Sequence, residues 1–454
     1  QQDYALGASV LGLMQGFVWQ ETGLADRLQS RAVTHPDLVW FPRDQHPTRL
    51  YGDADLAAQE LANNWGERGD VPAYFADENR VVRFLQDGYR AGQPPSAANA
   101  EAVLGKDLAT LWITGTARNL VDHYFTAERT KVNAAMDVSE SGPVSIDEPY
   151  SAFIMPMMSS GSVFDGDSGF VKGGIWQVTH ELGRINRSLG VDLVLNANID
   201  EVDTRSGTIR FETASGSQVL HSEHVIFATD PQVAARLTGD AMLIDHTAQE
   251  QVLGTSGKLN LMFRNPVCWK DSKGEAESDT AFRYLFATDT LADFESATMA
   301  AADGEDFAPG YYQIYCEGAS MRRMGIVESF DRLTVFLKNL ALGKSGDQLR
   351  AVEDEVKAII LSHIENPEDC VWSRLLTPRD LQQTFGFPGG NIEHTMLVHE
   401  QAYDNRSYTT GPGRRFYQLG DIENASICGS STYPCGSVAG TPAYMCVKEL
   451  LRQL

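Results

Sequence analysis

Long apolar runs are missing from this 454-residue chain. None approaches the length a helix needs to cross a bilayer, so the chain is not expected to be an integral membrane protein. Basic residues are also few: 37 Lys and Arg stand against 61 Asp and Glu, for a net charge of −24. That balance argues against nucleic acid and anionic membrane as partners while naming no substrate. Cysteine is sparse, with six residues (Cys268, Cys316, Cys370, Cys428, Cys435, Cys446) and no C-x-x-C. Such a set gives neither a disulfide framework nor a zinc site and suits a reducing, cytoplasmic setting. His394 and His399 are five positions apart without a third ligand nearby, so no metal site is expected. What is present, 43% hydrophobic and 22% charged residues, describes a globular protein, and the length suggests two or three domains.

The most informative stretch is Arg415 to Leu454. It reads as a short apolar strand (Ala425 to Cys428), a loop dense in small residues (Gly429 to Pro442), and a helix closing on Val447, Leu450 and Leu451. Gly429, Gly436 and Gly440 let backbone approach something flat or anionic, and a helix starting near Ser437 would aim its free N–H groups at an electron-rich ligand. On these features alone an ordinary Gly-rich connection serves equally well.

The stretch resembles the C-terminal flavin-contacting segment of the phytoene desaturase and carotenoid oxidoreductase-like FAD proteins. Their pattern is an apolar strand, C-G-S/A-x-T-H-P-G-G-G-V-x-G-A-P-G, then a helix. Cys428, Gly429, Ser430, Thr432, Pro434, Gly436, Val438, Gly440 and Pro442 fall on it. Tyr433 stands in place of the usual His, Cys435 and Ser437 in place of glycines, and Ala443-Tyr444-Met445 in place of G-R-N. The resemblance implies that the turn lies along a bound FAD, with Gly429, Ser430, Gly436, Ser437 and Val438 in contact.

Two further motifs extend it. GGIWQVTHELGRINRSLGVDLVLNANIDEV, from Gly173 and Gly174 onward, is similar to the family's G-G-M helix and the strand after it. Its apolar face is Ile175, Val178, Leu182, Ile185 and Leu189, and strands are expected at Asp192–Asn196, Ile199–Asp203, Thr208–Glu212 and His224–Ala228. By resemblance the Ile199 backbone would pair with the adenine, and Thr229 and Asp230 would lie near the cofactor. LTPRDLQQTFGFPGGNIEHTMLVHEQAYDNR resembles T-P-x-D-L-E-x-x-F-G-L-x-G-G-N-I-F-H-G-x-x-x-x-x-Q. The match is closest to the animal pyridine nucleotide-disulfide oxidoreductase domain-containing proteins and their bacterial relatives.

The expected fold is α/β: a Rossmann-like FAD-binding domain of the glutathione-reductase/amine-oxidase type, incomplete at its N-terminus, with a mixed α+β substrate domain. Residues 1–165 form a mostly helical substrate-covering region, with helices capped by Asp53 and Asp70. The apolar opening YALGASVLGLMQGFVWQ is either the start of that region or a core helix packed through Gly7, Gly12 and Gly16. Residues 166–258 are the rear of the FAD domain, 259–410 the substrate domain with an amphipathic helix VEDEVKAIILSHI, and 411–454 the flavin-contacting segment.

A G-x-G-x-x-G between a first strand and helix is absent. The string from Gly411 to Phe416 ends in Phe and follows no strand. The chain opens Gln1-Gln2 without Met, so its true beginning is expected to lie elsewhere. The expectation is that a smaller polypeptide, from a separate gene or a cleaved precursor, supplies this unit and completes the FAD site. A degenerate protein without cofactor is the competing reading.

Three residues are candidates for chemistry. His394 is an acid, base or substrate contact near the ring, or a structural histidine between domains. Tyr433 lines the cavity or packs as an aromatic. Cys435 forms a thioether or takes part in redox chemistry, or is a small buried replacement for Gly. Gly343-Lys344-Ser345 lacks the first glycine and strand of a phosphate loop, and Ser430-Ser431 lacks the spacing of a hydrolase elbow. The expected reaction is oxidation of a C–C or C–N bond of a small organic substrate by hydride transfer to flavin. A flavin amine or amino-acid oxidase and a non-catalytic prenyl-binding escort-like protein are the alternatives.

Overall fold

The computed structural model describes residues 7–271, 280–304, 307–344, 346–409 and 413–452. Ser345 and the Gly411-Pro412 pair of the two glycine-containing strings lie outside the described residues. Strands are numbered in chain order. A seven-stranded sheet dominates, in the order Cys370–Leu376 (β13), Gly257–Phe263 (β9), Asp331–Leu337 (β12), Tyr311–Tyr315 (β11), Arg283–Phe286 (β10), Asp37–Trp40 (β2) and Thr48–Leu50 (β3). Only the β10–β2 pairing is parallel. Because β2 and β3 come from the first 50 residues, the sheet crosses the boundary expected at 165.

The register of this sheet decides what its faces carry. Tyr284 pairs with Gln313, Gln313 with Phe336, Phe336 with Lys258, and Lys258 with Leu376. Directly paired residues share a face, so these five form one row across the sheet. Alternation sends Leu259, Leu261 and Phe263 of β9 to the other face, where Val352, Val356 and Ile360 of the helix Gly346–Ser362 cover them. This is the amphipathic helix expected from the sequence.

The helices Ala54–Trp65 and Val71–Ala91 are capped by the side chains of Asp53 and Asp70, as their spacing predicts. The second buries Val81, Leu85 and Tyr89 in a core that continues into the C-terminal segment through Tyr433, Met445 and Cys446. The described part of the apolar opening, from Gly7, is not a core helix over its length: among the described residues only Gly16–Glu21 of it is helical. Residues before it run against the segment after Ser160, with Gln15 Nε2 donating to the Ser160 carbonyl at 2.8 Å and Ser162 N–H to the Met14 carbonyl at 3.1 Å. A short antiparallel pair, Ser30–Ala32 (β1) with Gly169–Val171 (β4), lies beside it.

The remaining strands are a parallel pair, Val225–Phe227 (β8) with Ala425–Ile427 (β14), and an antiparallel meander of Asn198–Asp203 (β5), Thr208–Thr213 (β6) and Gly216–His221 (β7). The strand expected at Asp192–Asn196 is absent: this segment is irregular, with Leu195 71% and Val194 59% exposed. A strand persists through ladder hydrogen bonds and a packed face, and this segment has neither. Leu189, expected on the buried face of the helix Trp176–Ser188, is 75% exposed, whereas Ile175 and Val178 are buried. Among the described residues no helix is long and apolar enough to cross a membrane.

Candidate active site

A cavity of about 550 Å3 sits where the large sheet meets the C-terminal turn. Its floor is the row Tyr284, Gln313, Phe336, Lys258 and Leu376, with Tyr315 alongside. Its walls include Ser430, Ser437 and Val438 of the turn, Ile392 and Glu393, and Gly12 and Leu13 of the opening segment. Gln313 Nε2 donates to Tyr284 Oη and Tyr315 Oη donates to Gln313 Oε1, both at 2.8 Å, so these polar tips are held by one another.

Lys258 is a buried ammonium on a central strand, and burial draws its pKa down to about 8 despite the pull of Glu317. Lys338 is more deeply set and donates to Glu140 Oε2 at 2.9 Å and to Ser256 Oγ at 3.0 Å. Tyr311 Oη donates to Glu140 Oε1 at 3.0 Å, completing a buried cluster. Two more carboxyls face the cavity, Asp37 and Asp137, each pushed up to about 7 by burial. His35 stands between Asp167, 2.9 Å from its Nε2, and Asp37, 3.8 Å from its Nδ1. The Asp167 hydrogen bond holds its pKa above the ordinary histidine value.

The residues singled out from the sequence fall into three places. Ser430, Ser437 and Val438 reach the cavity, and Gly436 lies directly behind it, where an added Cβ would sit 2.5 Å from Ser430 Oγ and 2.7 Å from Glu393 Oε2. Gly429, at φ +116°, continues from β14 beside Ala228. The helix expected near Ser437 begins only at Thr441, because Ser437 and Val438 hold φ of +52° and +60°, outside the helical region.

Cys435 and Tyr433 are not among the cavity's lining. Cys435 is 1% exposed, and burial pushes its thiol well above the ordinary value, which keeps it protonated and unreactive. Tyr433 packs its ring among Tyr89, Phe153, Tyr403 and Phe416, and its carbonyl accepts from Tyr417 Oη at 2.8 Å. His394 turns away, half-buried at φ +64° with its ring 5.1 Å from Phe387 and its pKa lowered by burial. Its neighbour Glu393 takes the cavity position instead.

Gly173, Gly174, Ile199, Thr229 and Asp230 lie apart from this cavity. Gly173 and Gly174, at φ +86° and +104°, form the turn into the helix Trp176–Ser188. Asp230 caps the helix Pro231–Thr238 by accepting from Val233 N–H at 2.9 Å, and Thr229 donates to the Asp230 carbonyl. Ile199 is on β5, at the exposed meander.

The model of the family described as flavin containing amine oxidoreductase matches residues 17–305. The chain belongs to this family. Among curated relatives, an uncharacterized protein of Mycobacterium tuberculosis is 25% identical over 293 residues, covering 59% of this chain and 52% of the relative. The rat pyridine nucleotide-disulfide oxidoreductase domain-containing protein 2 is 22% identical over 385 residues, covering 75% of this chain and 61% of the relative. The chain thus spans between half and two thirds of these relatives' lengths. Cyclohexylamine oxidase from Brevibacterium oxydans has the same fold at TM-score 0.57 and 10% identity, covering 98% of this chain and 86% of that one. A putrescine oxidase solved with putrescine gives 0.53 and 14%, covering 100% and 90%.

The residues of the turn are of a kind that would fit the flavin for which the family is described. Small side chains at Gly429, Ser430, Gly436 and Ser437, with left-handed backbone at Ser437 and Val438, present main chain to a cavity floored by the flat rings of Tyr284 and Phe336. Five charged residues of this site escape sequence reading, two of which had a signal. Lys258 had a signal, a lysine amid alternating buried Leu and Phe on the strand GKLNLMF. Glu393 had another: it stands where the family pattern G-G-N-I-F-H carries Phe. Asp37, Asp137 and Glu140 had none, being brought in by the sheet and the helical region from distant sequence.

Proposed function

We propose that the chain is the larger part of an FAD-dependent oxidoreductase that removes a hydride from a C–N bond of a small organic amine, the corresponding C–C oxidation being the second reading. The observation behind it is one cavity in which the glycine-rich turn faces Lys258 and a carboxyl-rich wall. FAD supplies the hydride acceptor when bound. Asp37 and Asp137 supply acceptors for an ammonium or its N–H groups, which tilts the reading toward nitrogen substrates. Lys258, with a pKa of about 8, takes a proton from the substrate nitrogen in its free-amine form. Tyr284, Phe336 and Leu376 exclude water from the reacting carbon.

The FAD phosphates and ribose are held, on this reading, by a smaller polypeptide carrying G-x-G-x-x-G. Supporting it are the exposed apolar side chains of Trp176, Leu189, Leu193, Leu195 and, on the short parallel pair β8–β14, Ile226. Soluble proteins rarely leave such side chains and a sheet edge open together. Intact-mass analysis of the natively purified protein, under native and then denaturing conditions, tests both parts. A second small chain and one FAD are expected. One longer chain carrying both units would refute the two-chain arrangement, and a flavin-free species that yields no hydrogen peroxide from amines would refute the enzyme.

A further inference from the structure

Two positions that depart from the family pattern touch each other. Glu393 stands in place of Phe and Ser437 in place of Gly, and Ser437 Oγ donates to Glu393 Oε1 at 2.6 Å. Gly436 N–H donates to the other carboxylate oxygen, Oε2. The carboxylate is 2% exposed and forms part of the cavity wall. Its own backbone is fixed in turn. Glu393 N–H donates to Asn391 Oδ1 at 2.7 Å, and Arg406 Nη2 donates to the Glu393 carbonyl at 3.1 Å and to the Ser430 carbonyl at 2.7 Å.

The turn requires such a brace. Ser437 and the β-branched Val438 both hold positive φ, a conformation that glycine adopts freely and other residues keep only when their surroundings enforce it. Replacing Gly by Ser at 437 removes that freedom, and Glu393 provides two acceptors that hold the strained backbone. Gly436 has to remain glycine, since a Cβ there would collide with Ser430 Oγ and Glu393 Oε2.

We propose that Glu393 and Ser437 form a clamp, in which Glu393 is a positioning residue that both shapes the 436–438 turn and sets a negative charge at the flavin site. This rests on the FAD reading above. Burial raises the pKa of Glu393, while the hydrogen bonds from Ser437 and Gly436 and the nearby Arg406 oppose that rise, and a donor on each carboxylate oxygen is the arrangement that suits the ionised form. A carboxylate in a water-poor wall disfavours the additional negative charge that a flavin gains on reduction, so it lowers the midpoint potential.

The test uses the natural FAD complex and three substitutions. E393Q keeps the size and an acceptor oxygen but loses the charge, S437A removes one hydrogen bond, and S437G restores an unstrained turn. In E393Q the flavin midpoint potential is expected to rise. In S437A, FAD binding, read by fluorescence, is expected to weaken roughly tenfold, the scale of one hydrogen bond to a charged group. Amide exchange at 436–438, measured without flavin, should quicken in S437A and return toward wild type in S437G. An unchanged potential in E393Q, with FAD bound normally by the wild type, overturns the tuning role. Unchanged amide exchange in S437A overturns the clamp. A wild-type complex that binds no FAD overturns the functional reading and, with it, the tuning role, whereas the exchange measurement still decides the clamp.

Discussion

At the scale of single residues, Lys258 and Cys435 separate by where their side chains end. Both are buried, but only Lys258 opens on the cavity, in the floor row between Phe336 and Leu376. K258M should lower kcat/KM for amine oxidation by roughly a hundredfold, the lower end of what a positioned proton acceptor contributes. Wild-type activity should rise as pH passes about 8, where the ammonium loses its proton, and that limb should be missing in K258M. Equal pH profiles measured by stopped-flow flavin reduction would remove Lys258 from the mechanism. Cys435, by contrast, has its thiol held neutral by burial. C435S is expected to leave turnover nearly unchanged, and acid denaturation should release FAD intact; a flavin mass retained on the chain would reverse this assignment.

At the scale of elements, the opening segment and the turn at Gly161 are packed against each other without spare room. A Cβ at Gly161 would lie 1.8 Å from the Gly12 carbonyl oxygen, backbone against backbone, with no flexible side chain to yield. G161A is therefore expected to destabilise the protein by about 2 kcal/mol, within the range found for overpacking. It should also weaken substrate binding, because Gly12 and Leu13 line the cavity. Urea unfolding with and without substrate reads both effects. The segment from Leu189 to Leu195 and strand β8 have exposed apolar side chains and sparse ladder bonds. Their amides should exchange rapidly in the isolated chain and become strongly protected on binding the proposed smaller polypeptide. Protection spread evenly over the molecule would argue against these segments as the contact.

At the scale of the whole molecule, acid should stabilise the fold over a defined window. Asp37, Glu78, Asp137 and Glu250 have pKa values raised to about 7, chiefly by burial. Unfolding returns each to the ordinary carboxyl range near 4. Between these values the folded state binds more protons, so stability falls as pH rises from about 4 to about 7. The raised pKa of His35 acts in the same direction, and the net charge of −24 adds self-repulsion as carboxyls ionise. His224, His363 and His394, lowered by burial, oppose it, as does Glu67, whose pKa of about 2 reflects hydrogen bonds from Thr126, Gly69 and Ala127 overcoming burial. The expectation is a melting temperature higher at pH 5.5 than at pH 8. Scanning calorimetry across that interval, with a flat or rising profile, would contradict it.

The sequence by itself determined what depends on neighbours along the chain. Asp53 and Asp70 mark their helices because a cap bonds to N–H groups two or three positions away. The 346–362 helix shows in its apolar period, and the strand, turn and helix from Ala425 onward show in a motif whose constraints are local. The tertiary structure alone decided which of those motif residues face the chemistry. His394 and Glu393 are adjacent, yet the left-handed backbone at 394 turns the histidine toward Phe387 and leaves the glutamate to the cavity. Lys258 reaches the floor because pairing on both sides of β9 sets its face, and Asp37 and Asp137 join it through contacts spanning more than a hundred residues. The failed strand at Asp192–Asn196 has the same cause: a strand requires a partner, and apolar character along the chain does not say whether one is there.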